Sequence, residues 1–202
     1  MNLARFLILD TVLILLTLII YINFKDNEHK LATDFNVNAE TLPSLEDILE
    51  MENLAKKNGS GIEIDSLLGH WQFVSVWKQN ADKEDKLSSS LLRLFSASLD
   101  LRKLTSDKDF PTLSLSNTIE FGPLLIRFLG LGGIRGKQPL LPFFFERIEL
   151  KLGKLVLINR LLNEPDEKDM PFFSLIAKSN KDGWLVARGR GGGIALWLMS
   201  NK

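Results

Sequence analysis

Two histidines, His29 and His70, and no cysteine bound the chemistry this chain can do. Without thiols there is no disulfide, no thiolate metal site and no cysteine nucleophile. Two isolated histidines make a poor zinc site, and a Ser-His-Asp triad would have to be built on His70. His70 precedes Trp71 in a strand-like stretch, so the alternation that turns the indole inward turns the imidazole outward. Gly130-Leu-Gly-Gly-Ile-Arg-Gly misses the dinucleotide spacing, because Arg135 stands where the third glycine belongs and no helix follows. Arg188 to Gly193 is a single arginine–glycine segment between strands; it reads as a bulged turn, not a nucleic-acid arm. Glu146 and Glu149 lie three apart on a strand, face opposite ways and cannot work as an acid–base pair. The expectation is a non-catalytic protein with no cofactor and no metal.

Aromatic residues offer more. Trp71, Phe73, Phe121, Phe128, Phe143, Phe145, Phe173 and Trp197 all fall in strand-like runs. Aromatic walls give large apolar contact, so these are the candidate lining of a hydrophobic binding cavity. Alternation lets only part of the set face one interior. Gly69-His70-Trp71 opens the first strand, and Arg188 lies near the last. In a small barrel, a Gly-x-Trp start lets the chain bend while the indole closes the bottom. Gly69, Trp71 and Arg188 are the candidate closing set, with the guanidinium stacked on the ring.

The elements that must position these residues are mostly strands. Period-two runs cover 69–77, 112–121, 124–134, 140–151, 154–162, 172–178, 183–188 and 193–199. Trp71, Phe73 and Trp77 are expected on one side of the first. Glycine, proline and asparagine signals separate the runs, and Lys151-Leu-Gly-Lys154 reads as a tight hairpin. Between strands one and two, residues 87–99 carry a helical stripe of Leu91, Leu92, Phe95 and Leu99. Many short strands without β–α–β alternation predict a mainly β fold, an eight-stranded antiparallel barrel with one or two short helices. Residues 44–60 form the other helix, with Ser44 as N-cap and Asp47 three residues on. The barrel domain then runs over 61–202.

Residues 1–24 are different in kind. From Phe6 to Ile22 only Asp10 is charged, and the apolar run continues to Phe24. Nineteen helical residues span about 28 Å, near the thickness of a bilayer's hydrocarbon core. A cleaved signal peptide needs a small-x-small site, and Tyr21-Ile-Asn-Phe-Lys25 has none. The expectation is a single-pass transmembrane anchor over 1–24, joined by a polar connector over 25–43. Arg5 on one side and Lys25 and Lys30 on the other do not fix its orientation. The net charge is zero, yet residues 1–64 carry a balance of −5 and residues 65–202 a balance of +5. Residues 120–160 combine seven Lys/Arg and three Asp/Glu with strands that are apolar on both faces. A partner, a ligand or anionic lipid must cover such a surface. Membrane lipids, an apolar small molecule and a membrane protein complex are the expected partners.

Several segments resemble the plastid lipid-associated proteins, or fibrillins. They are Leu67-Leu-Gly-His-Trp-Gln-Phe-Val, Asn117-Thr-Ile-Glu-Phe, Gly136 through Leu150, and Gly183-Trp-Leu-Val-Ala-Arg-Gly-Arg-Gly-Gly-Gly-Ile-Ala-Leu. The resemblance spans residues 45–200 in chain order. It implies a lipocalin-like barrel at thylakoids or plastoglobules that carries carotenoids, quinones or similar molecules. It further implies a photosynthetic membrane, with the domain on the cytoplasmic or stromal side. A non-catalytic assembly factor with a filled barrel is the alternative. Leu185 stands where the family pattern has its first late arginine, and Asp182 alone remains of its acidic cluster.

Overall fold

The computed structural model describes residues 42–105, 110–136 and 139–200. The expected anchor over 1–24 and nearly all of the connector over 25–43 lie outside the described residues. Among the described residues, no helix is long and apolar enough to cross a membrane.

The described residues open with helix α1 (Leu45–Asn58), started by a full capping box. The Asp47 N–H donates to Ser44 Oγ at 3.2 Å, and the Ser44 N–H donates to the Asp47 carboxylate at 2.9 Å. A short turn of helix, α2 (Ile64–Leu67), leads into β1 (Gly69–Trp77). Helix α3 (Lys86–Leu94) follows, capped by Asp85. The remaining strands are β2 (Ser98–Lys103), β3 (Leu113–Phe121), β4 (Leu124–Gly132), β5 (Leu140–Leu152), β6 (Leu155–Leu161), β7 (Phe172–Lys178), β8 (Trp184–Gly189) and β9 (Ile194–Ser200).

All pairings are antiparallel, in the order β4-β3-β2-β1-β9-β8-β7-β5-β6, and β4 also pairs with β5. That last pairing closes an eight-stranded barrel and leaves β6 outside the ring. The long β5 explains how. Its first residues, Leu140 to Pro142, pair with β7, whereas Arg147 to Leu152 pair with β6 along the same edge. The second half of β5 therefore projects past the ring as a hairpin with β6.

Strand count and ring membership differ from the sequence reading. The run at 154–162 is a strand but not a stave of the barrel. The missing stave is β2, hidden inside the stretch read as helix over 87–99. The helix stops at Leu94, Ser96 takes φ +41°, and Leu99 and Leu101 then alternate with Asp100 and Arg102. Leu99 fitted the helical stripe by spacing alone.

Two apolar clusters hold the fold. One fills the barrel and includes Leu67, Trp71, Phe73, Leu101, Leu113, Leu115, Phe143, Leu185 and Trp197. The other lies outside the barrel, under α1. There Ile48 meets Val74, Trp77, Ile176, Val186, Ile194 and Leu196. Strands β7, β8, β9 and β1 are apolar on both faces because one face looks inward and the other is roofed by α1. A bulge between Phe73 and Ser75 inserts a residue into β1. It shifts the alternation by one, so Trp77 joins the outer cluster and does not share the side of Trp71 and Phe73. A second bulge lies between β4 and β5 at Leu129 and Gly130. A Cβ on Gly130 would stand 2.0 Å from the Phe144 carbonyl oxygen, so only glycine fits that crossing.

Candidate functional site: an aromatic cavity inside the barrel

One end of the barrel is plugged. Trp71 is fully buried, and its indole Nε1–H donates to the Leu67 carbonyl at 2.8 Å. That bond ties the floor indole to α2. Gly69 takes φ +137°, and a Cβ there would meet Met199 Sδ at 2.7 Å. Gly69 and Trp71 thus occupy the closed end.

Arg188 does not. Along β8, Leu185 and Ala187 face the interior cluster, while Val186 belongs to the outer cluster. Period two therefore turns Arg188 outward, away from Trp71. Its Nε and Nη2 each donate to the Glu52 carboxylate at 2.6 Å, and Nη1 donates to the Gly192 carbonyl. Glu52 is buried, with Lys56 Nζ 3.3 Å away. Arg188 holds the Glu52 carboxyl below the usual carboxylate range, and Glu52 raises the guanidinium in turn. Arg188 is a clamp between α1 and the β8–β9 turn. The cation nearest the Trp71 ring is Lys178, with Nζ 5.9 Å from its centroid. Lys178 is the register partner of Leu185 across β7 and β8.

Above the plug lies a cavity of about 240 Å³. Its walls include Phe73, Phe143, Phe145, Phe173 and Trp197 from the predicted lining. Leu99, Leu101, Leu115, Leu141 and Ala195 complete much of the rest, with Leu92 reaching in from α3. Asn117 supplies a polar side chain. The aromatic rings form a contact series along the wall. Phe73 meets Trp197 at 6.0 Å, Trp197 meets Phe173 at 5.6 Å, and Phe173 stacks on Phe143 at 5.1 Å. Phe143 then meets Phe145 at 5.5 Å, and Phe145 meets Phe128 at 5.2 Å. Asn117 lines the cavity and is exposed, so the opening lies beside it. Phe128, its register partner, stands at that opening, not within the wall.

Three predicted lining residues sit elsewhere. Trp71 is floor, Phe128 is rim, and Phe121 packs edge-on against Phe95 at 5.3 Å beside the end of α3. The sequence reading missed the aliphatic wall on β2 and β3, because β2 was taken for helix. It also missed Leu92. The helical stripe did single out Leu92, but spacing could not show that α3 reaches into the cavity.

Helix α3 is fixed over the barrel by polar contacts. Ser89 is fully buried and its Oγ accepts the Val76 N–H at 3.0 Å. Arg93 Nη1 donates to the Val74 carbonyl at 2.6 Å. At the cap, Asp85 accepts from the Ser88 N–H at 3.2 Å and pairs with Lys78 Nζ at 2.8 Å. Lys78 and then Ser88 push the Asp85 carboxyl down to about 2.

A larger hollow of about 680 Å³ lies on the outer face of β1, β2 and β3. It is polar, lined by His70, Gln72, Ser98, Asp100, Thr118, Glu120 and Arg127 among others. His70 faces outward there, with Nδ1 2.9 Å from Asp100 Oδ1. No hydroxyl among the described residues is hydrogen-bonded to that imidazole. No group of three histidine, aspartate or glutamate side chains among the described residues is placed to hold a metal ion. The inner cavity is the better candidate, since it is apolar and lies among the inward-facing aromatic residues of the barrel.

No family model matches the chain, and no curated protein matches it.

Proposed function

We propose that this protein holds an apolar chain, of a lipid or an isoprenoid, inside its barrel at a membrane surface. The observation that carries this reading is the aromatic cavity with its opening beside Asn117 and Phe128. Its volume of about 240 Å³ is just below the roughly 300–1,000 Å³ of pockets that enclose drug-sized ligands. The cavity therefore takes one acyl or isoprenoid chain end, such as a quinone tail, and leaves the rest of a long molecule outside. Asn117 gives such a ligand a polar contact at the wall, and no charged side chain among the described residues lines the void.

The membrane half of the proposal draws on the sequence run from Phe6 to Phe24, read as a single-pass anchor. The resemblance to the plastid lipid-associated proteins supports the same ligand class and a thylakoid-type membrane. Leu185 departs from that pattern, which has an arginine there; the cation near Trp71 in this chain is Lys178, the register partner of Leu185.

The test is to purify the full chain from its native membrane and analyse what comes with it by mass spectrometry. A stoichiometric lipid or isoprenoid is the expected result. An empty barrel that copurifies with a membrane complex would instead favour an assembly role.

A further inference from the structure

Among the described residues, the β5–β6 hairpin gathers five exposed large apolar side chains. Leu155 is 61% exposed, Leu161 68%, Val156 50%, Leu157 49% and Leu152 46%. Solvent-facing leucines in one projecting ribbon form a contiguous patch, not the scattered apolar residues of an ordinary surface. The free edge of β6 pairs with no other described strand.

The register links this patch to the cavity mouth. On the inward side of the sheet, three cross-strand rows follow one another away from the barrel. Asn117, Phe128, Ile148 and Arg160 make the row at the opening. Ile119, Ile126, Leu150 and Ile158 make the next, and Phe121, Leu124, Leu152 and Leu155 the last. An almost unbroken apolar surface thus runs from the cavity opening to the hairpin tip. The opposite side carries Val156 and Leu161 among Arg147, Glu149, Lys151 and Asn159, so the ribbon is apolar on its inward flank and mixed on the other.

We propose that the β5–β6 hairpin is a docking flange that lies in an anionic lipid interface and carries the mouth of the cavity to it. The inference rests on the membrane part of the proposed function and not on what fills the cavity. Two observations select lipid as the occupant. The apolar inward flank continues the cavity mouth, while Leu161 and Val156 on the other flank are the register partners of Arg147 and Lys151, an apolar-and-basic mixture that suits an anionic interface. Charge points the same way. Lys154 at the tip and Arg160 on the inward flank have no acidic partner among the described residues, while Glu149 is already paired with Lys151 at 3.2 Å. Such cations are complementary to anionic headgroups. The free backbone edge and the charged tip keep the flange in the headgroup region, where water and headgroups satisfy them.

The absence of cysteine makes a site-specific probe straightforward. Leu157→Cys and Asn180→Cys, each in the full chain, are labelled with an environment-sensitive fluorophore and reconstituted with brominated-lipid vesicles. One set contains phosphatidylcholine with phosphatidylglycerol, the other phosphatidylcholine alone. The expected result is a blue shift and several-fold stronger quenching at position 157 than at 180. Both effects should fall several-fold without phosphatidylglycerol and in Lys154→Glu/Arg160→Glu. Equal quenching at the two positions, in a chain that floats with the vesicles, overturns the flange and leaves the anchor standing. Quenching at 157 that ignores lipid charge also overturns it. So does a lipid-free blue shift that rises with protein concentration, which assigns the flank to a second copy. A chain that does not float with vesicles overturns the membrane reading as a whole.

Discussion

Trp71 and Arg188 show how far a residue type can be read and where it misleads. A tryptophan two residues after a strand-opening glycine is fully buried and bonded to the Leu67 carbonyl. Trp71→Ala should cost about 3–5 kcal/mol in chemical denaturation, the range for a core aromatic. Trp71→Phe should cost about 1–3 kcal/mol, because it leaves that carbonyl without its donor. An unchanged midpoint in both variants would place the indole outside the core. Arg188 was expected on that ring, yet it lies on the other face of β8 and grips Glu52, far away in sequence on α1. Nothing local in the chain announces that pairing, since the strand phase decides it. Glu52→Gln should destabilise the protein by about 2 kcal/mol, below the 3–5 kcal/mol of a fully buried pair because Arg188 keeps some solvent contact. The Glu52 carboxyl is depressed from 4.5, so its contribution is present above that pH and lost as pH falls below it. The wild type should therefore lose more stability than Glu52→Gln on acidification from pH 5, as measured by urea titration.

Elements were legible where period and turn chemistry agreed. The capping box at Ser44, the hairpin around Gly153 and most strands follow from local pattern. Strand β2 did not, because Leu99 continues the four-residue spacing of Leu91 and Phe95, and only the break at Ser96 separates helix from strand. The bulges at Phe73–Ser75 and Leu129–Gly130 are also invisible in the sequence, although a bulge re-aims side chains; Trp77 changes sides for this reason. Gly130 marks the second bulge, so Gly130→Ala should shift β4 against β5 and lower the melting temperature, whereas Gly191→Ala, which meets nothing within 4 Å, should not. Helix α3 carries a prediction of its own. Its cap Asp85 is depressed from 3.8 to about 2, so the capped helix is favoured above pH 4 and loses that support between pH 4 and 2. Release of a bound apolar probe should quicken over that window, and Asp85→Asn, which caps without titrating, should flatten the response. A release rate independent of pH in both proteins would show that α3 does not control access.

At the scale of the whole molecule, closure between β4 and β5 produces both the cavity and the flange. The β5 strand is long enough to finish the ring with its first half and to extend the apolar surface with its second. That division answers why strands in this region are apolar on both faces, a feature the sequence displays but cannot apportion. Five of the aromatic residues expected in the lining meet around one void, and the others became floor, rim and helix contact. The eight-strand total hid two compensating errors, β2 unseen and β6 counted as a stave. The most direct measurement is a titration of the full chain with a fluorescent polyene fatty acid, read by energy transfer from tryptophan. The cavity should take one molecule per chain, and Ala195→Phe, which places a ring in the void, should abolish uptake while the melting temperature holds. Wild-type protein without saturable transfer, or equal uptake by the plugged variant, would contradict an open ligand cavity in the barrel.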